Sequence, residues 1–217
     1  MGLFADRDSI SVTEIRQVVS GAGRNWGDQD SAALGKAEHK RILDALVEQV
    51  TPSLPGFSSR TTAVRIDSGQ IMGREELLNI EMNESLQLKV RPDAVVWDGE
   101  TLSCIEIKPA YNSLYLLQLM YECMAASETY GGAIQGLLYL YGRRDTVKIL
   151  QNGGKPFWDQ GKKIAVLARE LRASKNSKIF MVADIAVTDY RERAAIYRRE
   201  LDQIWRYVSQ GLSDSTW

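Results

Sequence analysis

The feature that most constrains this chain is a change in hydrophobic period. Across residues 30 to 50, "DSAALGKAEHKRILDALVEQV" sets Gly35, His39, Ile42, Leu43, Leu46 and Val50 on one face at helical spacing. The breaker "TPSLPGFSS" follows, and from residue 61 the period shortens to two. "TTAVRI", "LLNIEM", "LQLKVR", "DAVVW" and "LSCIEI" read as strands separated by the turn formers "DSG", "NES" and "DGE".

The flanks return to helical or mixed periods. "SVTE" is a capping-box pattern of Ser11 and Glu14 that opens a short helix ending near "SGAG". After the strand run come a helix over 113–127 and a strand pair, "AIQGLLYLY" and "TVKIL", joined by "GRRD". A helix over about 157–172 and a late strand, "KIFMVADIAV", come next. The last element is a long amphipathic helix over 189–211, striped by Tyr197, Leu201, Ile204, Trp205 and Val208. This order predicts an α/β fold with a mixed, largely antiparallel central sheet flanked by helices, rather than a doubly wound parallel one. We read residues 1–217 as one domain, with the C-terminal helix as a cap or an interface.

Composition narrows the function. Of 217 residues, 44% are hydrophobic and 25% charged, an ordinary globular makeup. Twenty-seven basic residues against twenty-eight acidic ones leave a net charge of -1, so any polyanion must be bound by a local patch. Cys104 and Cys123 lack the number and spacing of a zinc ribbon or a four-thiolate iron-sulfur cluster, and read as free thiols of a reducing cytoplasm. No apolar run reaches the roughly 20 residues that span a bilayer, and "GGKPF" lacks the spacing of a phosphate-binding loop.

The chemistry concentrates in "RPDAVVWDGETLSCIEIKPA", residues 91–110. The turn can close at Asp98-Gly99, which sets Asp93 opposite Cys104, or at Gly99-Glu100, which sets Asp93 opposite Glu106. Side chains alternate along a strand, so either register puts Asp93, Glu106 and Lys108 on one face and Ala94, Val96, Ile105 and Ile107 on the other. Two adjacent carboxylates repel unless a proton or cation intervenes, and hard oxygen ligands favour magnesium or manganese. The bland alternative is an edge hairpin with a solvated charged face.

Pro92-Asp93 followed at hairpin distance by Glu106-Ile107-Lys108 resembles the signature of the PD-(D/E)xK nuclease superfamily. "GKAEH", with Gly35 and His39, and "QLMY", with Gln118 and Tyr121, resemble the flanking motifs of its RecB-like branch, which includes CRISPR adaptation nucleases. These motifs span 35–121 in that branch's order. The resemblance implies a restriction-endonuclease-like core and a metal-dependent DNA nuclease. His39, Asp93, Glu106 and the Ile107 carbonyl would hold magnesium or manganese, Lys108 would position the attacking water, and Gln118 and Tyr121 would orient Lys108 or touch a bound strand. The adaptation nucleases' iron-sulfur cysteines are missing, so no cluster is expected and a stand-alone or virus-encoded exonuclease is the better match. Alternatives are a site-specific or junction-resolving endonuclease and a catalytically silent DNA-binding fold.

Elementary arguments agree. A glycine at 35 would let its helix approach the sheet, His39 is the one histidine, and Gln118 and Tyr121 are three apart on a helix. Candidate DNA contacts are Arg143, Arg144, Lys148, Lys162 and Lys163 for phosphates, and Tyr111 and Tyr115 for stacking on an unpaired base. Asp67 and Glu81 are reserve acids. DNA is the expected partner, with recombination, repair or viral replication proteins and a second copy of the chain as further candidates, and no membrane.

Overall fold

A computed structural model describes residues 8–21, 29–47, 70–142, 146–176 and 184–214. In chain order these form β1 (Asp8–Ser11), α1 (Val12–Ser20), α2 (Gln29–Val47), β2 (Gln70–Arg74), β3 (Leu78–Asn83), β4 (Leu86–Val90), β5 (Ala94–Trp97) and β6 (Thr101–Lys108). Then come α3 (Ser113–Tyr130), β7 (Ala133–Leu140), β8 (Thr146–Leu150), a 3-10 segment (Gln151–Phe157), α4 (Trp158–Asn176) and α5 (Asp184–Asp214). The fold is mixed α/β, as predicted.

The strands divide into two sheets rather than one. A three-stranded sheet has the order β1-β4-β3, and a five-stranded sheet has the order β2-β5-β6-β7-β8. Most pairs are antiparallel, but β1 runs parallel to β4, and β6 runs parallel to β7. That second parallel pair needs a crossover, which α3 supplies. β1 and β2 escaped the sequence reading for different reasons. β1 carries one core residue, Ile10, in four. β2 contains Gly73 and shifts register between Ile71 and Gly73, which breaks its alternation.

The late strand is corrected. Residues 178–183 lie outside the described residues, while Asp184 to Val187 form the start of α5. A short apolar run does not by itself distinguish strand from helix, and here the helical pattern of the following residues extends back through it. The strand predicted over 61–66 also lies outside the described residues.

Capping fixes α1 as its sequence promised. Ser11 Oγ accepts from the Glu14 N–H at 3.3 Å, and Glu14 Oε2 accepts from the Ser11 N–H at 2.8 Å. At the other end Arg198 of α5 donates to the carbonyls of Val18 and Val19, placing a cation at the helix C-terminus.

α3 organises the core. "LYLLQLMYECMAA" is apolar around most of its circumference, the signature of a helix buried on more than one side. It packs between the β6–β7 face of one sheet and β3–β4 of the other. Leu116, Leu117, Leu119 and Met120 are wholly buried, each contributing roughly 2 kcal/mol by area. That gain offsets the several kcal/mol of desolvation for the two polar side chains the helix carries inward, Gln118 and Glu122. The opposite face of the five-stranded sheet, with Ala94, Val96, Ile105 and Ile107, lies under Ile42 and Leu43 of α2. α5 caps the α3 side through Leu201, Val208 and Leu212.

Candidate active site

The turn chemistry decides the register. Asp98 Oδ1 accepts from the N–H groups of Glu100 at 2.9 Å and Thr101 at 2.7 Å, and the Asp98 N–H donates to the Thr101 carbonyl at 3.3 Å. Gly99 takes the left-handed φ of 104° that the loop requires. The loop is therefore Gly99-Glu100, Ala94 pairs with Ile105, and the next step of the ladder sets Asp93 opposite Glu106.

Asp93 stands at the entry to β5, 8% exposed. Its Oδ2 accepts from the Ile107 N–H at 2.7 Å and lies 2.9 Å from His39 Nε2, so α2 and β6 both hold this carboxylate. The N–H and C=O of one extended residue point the same way, so the Ile107 carbonyl faces the same edge. The hydrogen bond to Asp93 raises the His39 pKa above the ordinary imidazole value, against the opposing effect of burial.

Glu106 has no exposed surface. It points to the α3 side, where Lys108 Nζ pairs with Oε1 and Gln118 Nε2 donates to the same oxygen at 2.6 Å. Oε2 is buried and, among the described residues, meets no donor N–H or O–H in good geometry, although the Glu106 carboxyl also hydrogen-bonds with that of Glu122. Burial, followed by the negative charge of Asp93, pushes the Glu106 carboxyl up to about 7. For Lys108, burial acts to lower the pKa, but the charge and hydrogen bond of Glu106 win and hold it above the ordinary lysine value. The hairpin's charged face is thus covered by α3, not solvated.

Among the predicted residues, the structure brings together His39, Asp93, Glu106, Ile107, Lys108 and Gln118. It turns Tyr121 away. At 3.6 residues per turn, position 122 lies about 40° from position 118, and position 121 about 60° to the other side. Tyr121 accordingly faces α4, wholly buried, with its hydroxyl donating to the Gly161 carbonyl at 2.7 Å. Glycine at 35 is not demanded by crowding either. A Cβ there would meet the Tyr141 hydroxyl at 3.4 Å, an ordinary contact.

Two residues that the sequence reading passed over join the site. Glu122, 1% exposed, accepts from Gln118 Nε2 at 2.8 Å, and burial holds its carboxyl well above the usual range. An acid inside the apolar run of α3, four residues after Gln118, was the available signal. Arg16 of α1 donates from Nη1 to Gln118 Oε1 at 2.6 Å, and its spacing in the sequence offers no signal.

The stacking and phosphate candidates separate. Tyr115 is half-buried, with Arg16 4.7 Å and Lys108 Nζ 5.4 Å from its ring centroid, so its ring seats two cations. Tyr111 is 43% exposed, its hydroxyl 3.3 Å from Ser213 Oγ. Lys162 and Lys163 lie on α4, which packs mainly on α1, α3 and α5. Arg143, Arg144 and Asp67 lie outside the described residues, as does the side chain of Lys148 in β8. Glu81 is exposed on β3, in the other sheet.

Whether these residues fit a divalent cation turns on donor chemistry. Among the described residues no three His, Cys, Asp or Glu side chains form a finished cage. His39 and Lys108 instead engage Asp93 and Glu106, His39 through a hydrogen bond and Lys108 as a cation. The donors are nonetheless hard oxygen atoms with one imidazole nitrogen, and the buried Oε2 of Glu106, which has no donor among the described residues, supplies a coordination point. This set fits magnesium or manganese. The chain matches no protein-family model, and comparison with curated proteins finds no significant match. Among the described residues no helix is long and apolar enough to cross a membrane.

Proposed function

We propose that this chain is a metal-dependent deoxyribonuclease of the PD-(D/E)xK superfamily, RecB-like in its motifs, that hydrolyses phosphodiester bonds at DNA ends or in single strands. The observation that carries the reading is Glu106: a wholly buried carboxylate opposite Asp93, with Lys108 on one oxygen and the other left without a donor among the described residues. Ionising such an acid costs roughly 3 kcal/mol more than in water, from a carboxyl raised from 4.5 to about 7. A site built to receive a dication makes sense of that cost; a purely structural hairpin would be more stable with an apolar residue there.

His39, Asp93, Glu106 and the Ile107 carbonyl are the groups that would hold magnesium or manganese. When bound, such an ion would acidify water and offset the charge of a phosphodiester. Lys108, kept protonated by Glu106, holds its proton at Nζ beside the carboxylates and orients a water or a phosphate oxygen. His39 fixes Asp93 through Oδ2, and Gln118 fixes Glu106 through Oε1. Water would add to the phosphorus as one ester P–O bond breaks, the departing sugar oxygen taking up a proton from solvent, without a covalent intermediate. The buried, free thiols of Cys104 and Cys123 suit a reducing cytoplasm.

The test uses end-labelled linear duplex, single-stranded DNA and closed circular DNA, each with magnesium, manganese or EDTA, beside a Glu106→Ala variant. Loss of linear and single-stranded DNA that requires both the metal and Glu106, with circles spared, is the expected result. Nicked circles would replace the end-directed reading with an endonuclease. No cleavage by the folded protein under any metal would reject the enzyme reading in favour of a silent DNA-binding fold.

A further inference from the structure

We infer that Arg16 and Glu122 are positioning residues that lock the Gln118 carboxamide in one orientation, and through it hold Glu106 ready for a divalent cation. The inference rests on the nuclease reading and extends it to two residues with no place in the hairpin motif.

Both ends of the amide are specified chemically. Arg16 Nη1 is 2.6 Å from one end, and because a guanidinium only donates, that end must be the oxygen. The nitrogen carries two hydrogens and faces two acceptors, Glu106 Oε1 at 2.6 Å and Glu122 Oε1 at 2.8 Å. A flipped amide would set its NH2 against a guanidinium, which cannot accept, and its oxygen against two acidic side chains, which repel it when ionised.

The clamp is itself anchored. The Arg16 guanidinium lies over the Tyr115 ring, and α1 is held at its C-terminus by Arg198. Glu122 is buried in α3 among leucines, methionine and alanines, where packing alone asks for another apolar side chain. Its Oε1 accepts from Gln118, and its carboxyl also hydrogen-bonds with that of Glu106. The consequence lies at Glu106: with Oε1 occupied by Gln118 and Lys108, Oε2 is the atom left to coordinate. Groups that orient a metal ligand in this way are typically worth about 10- to 100-fold in metal affinity.

The experiment measures manganese affinity of the full chain by the electron paramagnetic resonance of the free ion. It compares the unaltered protein with Arg16→Met, Glu122→Leu, Gln118→Ala and the two double variants that include Gln118→Ala. Arg16→Met and Glu122→Leu are each expected to weaken binding about tenfold. Neither should weaken it further once Gln118 is alanine, because both act through that amide. Arg16→Lys, which restores a donor, is expected to recover most of the loss, and it carries the test if Arg16→Met fails to fold by circular dichroism. Unchanged affinity in Arg16→Met and Glu122→Leu, or losses that add fully to that of Gln118→Ala, would overturn the inference while leaving the nuclease reading intact. Manganese binding and DNA cleavage that survive Glu106→Ala would instead overturn the nuclease reading, and the inference with it.

Discussion

Strands β3 and β6 carry nearly the same local sequence with opposite outcomes. In β3, Ile80-Glu81-Met82 exposes its glutamate; in β6, Ile105-Glu106-Ile107 buries its glutamate completely. The difference lies in the alternate positions. β3 offers Asn79, Glu81 and Asn83 to solvent, so one covered face suffices. β6 offers Leu102, Cys104, Glu106 and Lys108 to α3 while its other face lies under α2, so Glu106, inside that row, has no water to face. A glutamate in a strand is informative through the residues two before and two after it, not through its immediate neighbours.

The largest expected effect breaks this comparison at its centre. Glu106→Ala should reduce DNA cleavage by about three orders of magnitude, the several kcal/mol that a catalytic cation contributes. Glu81→Ala should leave cleavage unchanged and shift stability by no more than about 0.5 kcal/mol. Initial rates on labelled linear duplex and thermal melts of the two variants check both halves. Equal losses in the two would remove the distinction between the strands.

A second expectation concerns pH in metal-free protein. Glu106 ionises near 4.5 when unfolded and about 7 when folded, so between those values the folded state keeps a proton that the unfolded state has lost. Stability from this group is present at low pH and lost as pH rises through about 7. Glu122 and His39, both raised, act in the same direction. The metal-free melting temperature should therefore fall from pH 5 to pH 8, and Glu106→Gln should reduce that fall. Manganese should raise the melting temperature more at pH 8 than at pH 5, because it competes with those protons. A metal-free melting temperature that rises across this range would contradict the arrangement of charges.

The sequence disclosed the hairpin in considerable detail. Asp93, Glu106 and Lys108 share a face because strand alternation demands it, and the glycine of "WDGE" signalled the turn. Which of two registers forms was not legible, since it depends on the Asp98 side chain capping the loop. That both faces would be covered was also hidden, because the second cover comes from α3, later in the chain. Tyr121 shows how motif spacing misleads: three residues along a helix brings two side chains to neighbouring directions, yet α4 approaches from one of them. The separate three-stranded sheet escaped notice because β1, which pairs parallel to β4, is four residues long with one core side chain.

A smaller effect sharpens the reading of Tyr121. Tyr121→Phe deletes a buried hydroxyl that donates to the Gly161 carbonyl, and should cost about 1 kcal/mol of stability with cleavage and manganese affinity unaltered. A tenfold loss of cleavage at unchanged stability would return Tyr121 to the site.

The most direct test is a calorimetric titration of manganese at pH 8 into the unaltered protein, Glu106→Ala and Glu81→Ala. Saturable binding in the unaltered protein and in Glu81→Ala, lost in Glu106→Ala, is the expected result. Failure of the unaltered protein to bind, or binding that Glu106→Ala leaves intact, would contradict the claim that this buried acid exists to hold a cation.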